Sequence, residues 1–188
     1  MFYLEIIGAA IGLLYLWLEY RASILLWPVG IVMPALYIYI YYASGFYADM
    51  GINVYYLVAG LYGWIAWSGK RNDAEPLPIT RTPPRAWLPL TGVFLVFFAA
   101  LVILLKCFTD STVPWGDSFT TALSVVALWM LARKHVEQWL VWIAVDAVCA
   151  ALYFYKGLYP TGALYAIYSV IAVFGYFKWK KIMANGER

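Results

Sequence analysis

Seven runs of this 188-residue chain are apolar for long enough to cross a hydrocarbon core about 30 Å thick. They fall at roughly 3–20, 23–43, 47–68, 87–106, 115–133, 136–155 and 159–179. Backbone N–H and C=O groups in lipid find no water, so each such run must satisfy its own as a helix. The runs predict an all-α polytopic membrane protein with seven transmembrane helices. Composition agrees, with 65% apolar and only 12% charged residues, about half the charged share of a soluble domain. That leaves too little polar surface to cover a soluble particle. The net charge of +3 is therefore a matter of topology, and no nucleic-acid partner is expected.

The loops are short apart from 69–86, where Lys70, Arg71, Asn72, Asp73 and Glu75 lead into Pro76, Pro78, Pro83 and Pro84. This is a polar, proline-punctuated linker. The N-terminus lacks a basic start and carries Glu5, so no signal peptide is expected. With the N-terminus outside, Arg21, Lys70, Arg71, Arg81, Arg85, Arg133, Lys134, Lys178, Lys180, Lys181 and Arg188 face inward, and only Lys106 and Lys156 face outward. Basic residues concentrate on the cytoplasmic side, so the expected topology is N-out, C-in. Cys107 and Cys149 stand far apart in apolar stretches, without metal-ligand or CxxC spacing. Neither a metal nor a cofactor is expected.

Sliding the chain on itself by 112 residues superposes Glu5–Trp67 on Asp117–Trp179 without a gap, with 15 identities in 63 positions. They include Trp17/Trp129, Arg21/Arg133, Trp27/Trp139, Tyr41/Tyr153, Gly45/Gly157, Tyr47/Tyr159, Tyr56/Tyr168, Gly63/Gly175 and Trp67/Trp179. Shared hydrophobicity aligns leucines; it does not align so many tryptophans, glycines, tyrosines and an arginine in one register. The organisation read from this duplication is a first three-helix repeat (1–68), a cytoplasmic linker (69–86), a linker transmembrane helix (87–106), a second repeat (115–181) and a cytoplasmic tail (182–188). Three helices per repeat and one linker helix give both repeats the same orientation. Carriers built from parallel repeats hold their substrate near the bilayer midplane.

In the sixth span Trp139, Trp142, Asp146, Cys149 and Tyr153 step by three and four residues and share one helix face. Asp146 is the one formal charge deep in the apolar core, and an ionised carboxylate there costs at least ~2.5 kcal/mol on insertion scales. It must face a cavity, a donor or a cation, or else only knit helices through tyrosine hydroxyls. The fifth span lines up Asp117, Thr121 and Ser124, which serve either the site or close helix packing. Asn53 and Tyr56 in the third span match Tyr165 and Tyr168 in the seventh. One carboxylate among aromatic faces suits a flat cation, which rings attract through their quadrupole. The absence of a basic residue in the core argues against a phosphorylated substrate.

These residues resemble the PnuC family of bacterial vitamin transporters. The resemblance is carried by Gly116-Asp117, Thr121, Ser124, Arg133-Lys134, Glu137, Trp139-Leu140-Val141-Trp142, Leu152-Tyr153, Lys156-Gly157-Leu158-Tyr159, Gly175 before Trp179, and Asn53-Val54-Tyr55-Tyr56. It implies a SWEET-like three-plus-one-plus-three fold in the bacterial inner membrane. It also implies facilitated diffusion of an unphosphorylated vitamin, trapping by a cytoplasmic kinase, and assembly as a trimer. Leu128 and Asp146 stand where the riboside carriers commonly have glutamine and asparagine, and the tyrosine-rich start is similar to the thiamine branch, often called PnuT. The resemblance thus points first to thiamine and second to nicotinamide riboside. A retinal photoreceptor would need a lysine midway along the seventh span, where none stands. An intramembrane enzyme would need a nucleophile and a base together, and His135, the only histidine, sits in a cytoplasmic turn. No phosphate-cradling GxxxxGK[ST] loop occurs, and a single intramembrane acid favours a uniporter over a proton symporter.

Overall fold

The computed structural model describes residues 2–44, 47–68 and 77–186. The Lys70–Glu75 stretch of the linker, Gly45 and Arg188 lie outside the described residues, as do the side chains of Glu5, Tyr41 and Tyr47. Seven helices form among the described residues: α1 (Phe2–Tyr20), α2 (Leu26–Ser44), α3 (Tyr47–Trp67), α4 (Pro84–Phe108), α5 (Pro114–Ala132), α6 (Gln138–Tyr155) and α7 (Tyr159–Asn185). Three of them, α4, α6 and α7, are long and apolar enough on their described residues to cross a membrane. In α5 the first turns carry Asp117, Ser118, Thr120, Thr121 and Ser124, which lower its apolar character.

Two boundaries differ from the sequence reading. Helix α4 begins at Pro84, inside the expected linker, because a proline needs no N–H partner in a first turn and its fixed φ suits a helix start. Helix α7 runs past residue 179 to Asn185 and takes in the start of the expected tail, stopping where Gly186 adopts φ 64°.

The chain divides into two compact units, one ending at Pro78 and the other running from Ile79 to Glu187. In the first, α1 packs on α2 and α2 on α3; in the second, each of α4 to α7 packs on the next. Within the first unit Trp27 is buried and stands edge-on to Trp67, with centroids 5.5 Å apart and planes at 88°. A Cβ on Gly63 would collide with the Trp27 ring. Within the second unit Trp139 meets Trp179 at 5.7 Å and 87°, and a Cβ on Gly175 would lie 2.8 Å from three atoms of the Trp139 ring. Each residue is offset from its counterpart by 112 positions.

The turns repeat as well. Ala22 in the α1–α2 turn has φ 50° and Lys134 in the α5–α6 turn has φ 52°. Their N–H groups donate to Glu19 and Leu131 carbonyls, each at 2.9 Å. Arg21 lies over the Trp17 ring at 5.0 Å, and Arg133 over Trp129 at 5.6 Å. The same short sequence register thus produces the same local geometry in both units.

The end of the linker is pinned to the α5–α6 turn. Thr80 N–H donates to the Lys134 carbonyl at 3.0 Å and Val136 N–H to the Thr80 carbonyl at 2.9 Å. Glu137 Oε2 accepts from both the N–H and the hydroxyl of Thr82, at 2.8 and 2.9 Å. Elsewhere α4 turns Leu88, Leu95, Val96, Ile103 and Phe108 outward. A contiguous apolar face of that extent belongs against lipid.

Candidate functional site

Helix α6 carries the centre of the candidate site. Asp146 is 6% exposed, and its carboxylate lies within electrostatic reach of the Tyr165 and Tyr168 hydroxyls of α7 and of the Cys149 thiol. Tyr165 stacks on Tyr153 at 5.1 Å with planes 26° apart, and Tyr168 meets Tyr165 edge-on at 5.6 Å. The three rings form a continuous aromatic wall across α6 and α7, with Asp146 beside it. Tyr153, on the expected face of α6, joins the wall through a contact that its own spacing could not reveal.

Trp139 and Trp142 separate in role. Trp139 is fully buried, with Gly175 on its ring and Trp179 at its edge. That environment matches Trp27, so this ring serves helix packing. Trp142 has no aromatic counterpart, since Gly30 occupies the equivalent position and the Tyr15 ring closes on Gly30 instead. The large ring has changed helices between the units: Tyr15 on α1 in the first, Trp142 on α6 in the second, with Ala127 at the position matching Tyr15. Of the two tryptophans, Trp142 is the one that repeat packing does not explain.

Asp117 and Ser124 of α5 have partners of their own. Asp117 pairs with Lys156 at 3.2 Å and accepts from the Ser111 hydroxyl at 3.1 Å, both partners standing 28–34% exposed in the ion pair. The Ser124 hydroxyl donates to the Thr120 carbonyl at 2.8 Å. Thr121 is half-buried on the same helix. The Asp117 carboxylate thus sits in a half-exposed ion pair within electrostatic reach of Tyr153 and Cys149, and the Ser124 hydroxyl returns to its own backbone. Asn53 and Tyr56 lie half-buried on α3 in the first unit, where Tyr56 meets Tyr55 edge-on at 5.8 Å.

Sequence reasoning passed over Gln138. It opens α6 with no exposure, and neither its Nε2 nor its Oε1 has a hydrogen-bond partner among the described residues; the Trp142 Nε1 is in the same condition. An unmatched buried polar group costs ~1–3 kcal/mol. The available signal was its register, four residues before Trp142 and eight before Asp146.

His135, the lone histidine, is buried in the pinned turn with Nδ1 3.2 Å from the Thr80 hydroxyl. Burial holds its pKa below the ordinary value, Arg133 adding to that and Glu137 opposing it. Burial likewise lowers Lys134. Both belong to the linker clamp, away from the Asp146 level.

Apolar helices with a buried carboxylate beside an aromatic wall belong to a polytopic membrane protein. Comparison with known proteins sharpens that class. The nicotinamide mononucleotide transporter family matches residues 2–181. The chain belongs to this family, that of the PnuC carriers, and is a vitamin-type membrane transporter. It is similar to the nicotinamide riboside transporter PnuC of Escherichia coli, 26% identical over 94% of this chain and 84% of the relative. It is also similar to the riboflavin/roseoflavin transporter RibM of Streptomyces davaonensis, 27% identical over 93% and 83%. A crystal structure of the vitamin B3 transporter PnuC shares the fold, with TM-score 0.65 and 24% identity over 94% of this chain and 80% of that one.

Proposed function

We propose that this chain is a uniporter for an unphosphorylated cationic vitamin, with nicotinamide riboside as substrate. The observation that carries the reading is Asp146, a buried carboxylate beside the Tyr153–Tyr165–Tyr168 wall. A flat pyridinium can rest its face on Trp142 and place its charge toward Asp146. Cation–π attraction in a desolvated site reaches ~2 kcal/mol, and the carboxylate adds to it. The riboside transporters among the relatives support this substrate over thiamine, toward which the sequence resemblance first points. Riboflavin, transported by one relative's name, is neutral and leaves Asp146 without a counter-charge.

Thiamine is the second reading. Its thiazolium also carries a fixed positive charge, and it is favoured by an acid at position 146, where an amide is common in the riboside carriers. Under either reading the chain is organised as two three-helix repeats, a plan supported by the 112-residue duplication and by the same internal packing in each, Trp27 on Trp67 and Trp139 on Trp179. Transport runs downhill, and a cytoplasmic kinase makes it productive by trapping the product.

Titrating purified protein with nicotinamide riboside, thiamine and riboflavin tests the assignment. Tightest binding of nicotinamide riboside is expected. Preference for thiamine would move the chain to the second reading, and preference for riboflavin would remove the ion pair from the mechanism. In proteoliposomes substrate should equilibrate and go no further; accumulation driven by a pH step would overturn uniport.

A further inference from the structure

Gln138 sits at 0% exposure with both polar atoms of its amide unmatched among the described residues. An α-helix advances 1.5 Å and turns about 100° per residue. Gln138, Trp142 and Asp146 therefore climb α6 in steps of ~6 Å, drifting about 40° at each step and staying on one arc. The Trp142 indole N–H, one turn along from the amide, is also unmatched, as are those of the packing rings Trp27 and Trp139. A buried donor and acceptor side by side, on the same arc as the ring and the acid, form half of a two-point hydrogen-bonding pair.

The other unit shows that folding does not require the amide. The position equivalent to Gln138 is Leu26, which is also fully buried and ends the same kind of turn. Leu26 N–H donates to Ser23 and Gln138 N–H to His135, each at 3.2 Å. The backbone is thus duplicated while an apolar side chain does the packing in one copy and an amide in the other.

We propose that Gln138 is a specificity-determining residue, whose amide recognises a donor–acceptor edge on a flat heteroaromatic ring that rests on Trp142. A primary carboxamide and an aminopyrimidine both present such an edge, with an N–H beside a lone pair. The inference rests on the reading of the chain as a carrier of cationic heteroaromatic vitamins, and it says which part of the ring is read. Asp146 senses the charge; Gln138 senses the edge. A site built to hydrogen-bond a substrate group discriminates strongly against the analogue that lacks it, because its buried polar atoms then stay unpaired.

The test compares two ligands on purified wild type, Gln138→Met and Gln138→Leu. One ligand is nicotinamide riboside; the other is the pyridinium riboside without the carboxamide. Wild type should bind the first at least ~10-fold more tightly, and both variants should bind the two within ~2-fold of each other. Both variants should melt no lower than wild type, since each removes an unmatched buried amide. Unchanged discrimination in the variants, equal loss of both ligands, or failure of both variants to fold would overturn the assignment. If wild type binds thiamine instead, thiamine and its counterpart with a carbonyl in place of the 4-amino group replace the pair, with the same outcomes. Wild type that binds none of these vitamins would remove the functional reading and this inference with it. Tight binding that the variants preserve removes this inference alone.

Discussion

Trp139 stands edge-on to Trp179 at 5.7 Å, with Gly175 against its ring, and this contact locks α6 to α7. The ring atoms nearest a Cβ at position 175 belong to the rigid fused edge of the indole, which cannot swing aside as a flexible chain end would. The same residues in the first unit do the same work. An indole this size seated on a glycine sets how closely two helices approach.

Gly175→Ala should therefore destabilise the protein by ~1–3 kcal/mol, the usual cost of overpacking. Gly92→Ala is the control, because a Cβ there meets nothing within 4 Å and alanine is the better helix former. Thermal unfolding in detergent should show a lower melting temperature for the first and an unchanged or higher one for the second. Equal melting temperatures would mean that the Trp139 contact does not limit the packing.

The two aspartates should behave differently. Asp146→Asn keeps size and hydrogen-bonding capacity but removes the buried charge, so affinity for nicotinamide riboside or thiamine should fall at least ~10-fold. Asp117→Asn breaks a half-exposed ion pair, an interaction worth ~0–1 kcal/mol in solvent. Its affinity should stay within ~3-fold of wild type. Calorimetric titration of both variants separates them, and a large loss from Asp117→Asn would place that residue in the site beside Asp146.

Acid should loosen the linker clamp. The folded protein favours neutral His135 through burial, so the unfolded chain takes up the proton first as pH falls below about 6.5. Stability contributed by the neutral ring is complete above that value and is lost as pH drops through the lower folded pKa. The melting temperature of wild type minus that of His135→Gln should thus fall between pH 7.5 and pH 5.5. A flat difference would show that the ring is not held neutral. Glu137→Ala strands the Thr82 N–H that its carboxylate accepts, and should cost ~1–3 kcal/mol at either pH.

Topology can be read with an impermeant thiol reagent on intact cells. Cys107 is exposed in the last turn of α4, and N-out orientation puts it outside, so it should label without lysis. A Cys107→Ser, Arg81→Cys variant moves the thiol to an exposed position in the linker and should label only after lysis. The reverse pattern would invert the orientation.

Much of the fold was legible because lipid makes secondary structure a local matter. A long apolar run must satisfy its own backbone hydrogen bonds, so the helices followed from length and hydropathy, and the duplication from register. The acid at position 146 was equally plain, being a charge with no reason to enter an apolar span. The helix ends were less legible, since Pro84 reads as linker but opens α4.

What the sequence determined by itself was the solvent of the chain, its duplicated plan and the face of α6 that bears the acid. Only tertiary structure decided how each polar atom and ring is used. Asp117 meets Lys156 across 39 residues, Thr80 meets His135 across 55, and Gly175 covers Trp139 across 36. Spacing along one helix names the residues that share a face, but it carries no information about which of them a second helix has already taken. That is why Trp139 and Trp142 look alike in sequence and part company in the fold: one ring has a glycine against it, and the other has none in its own repeat's pattern.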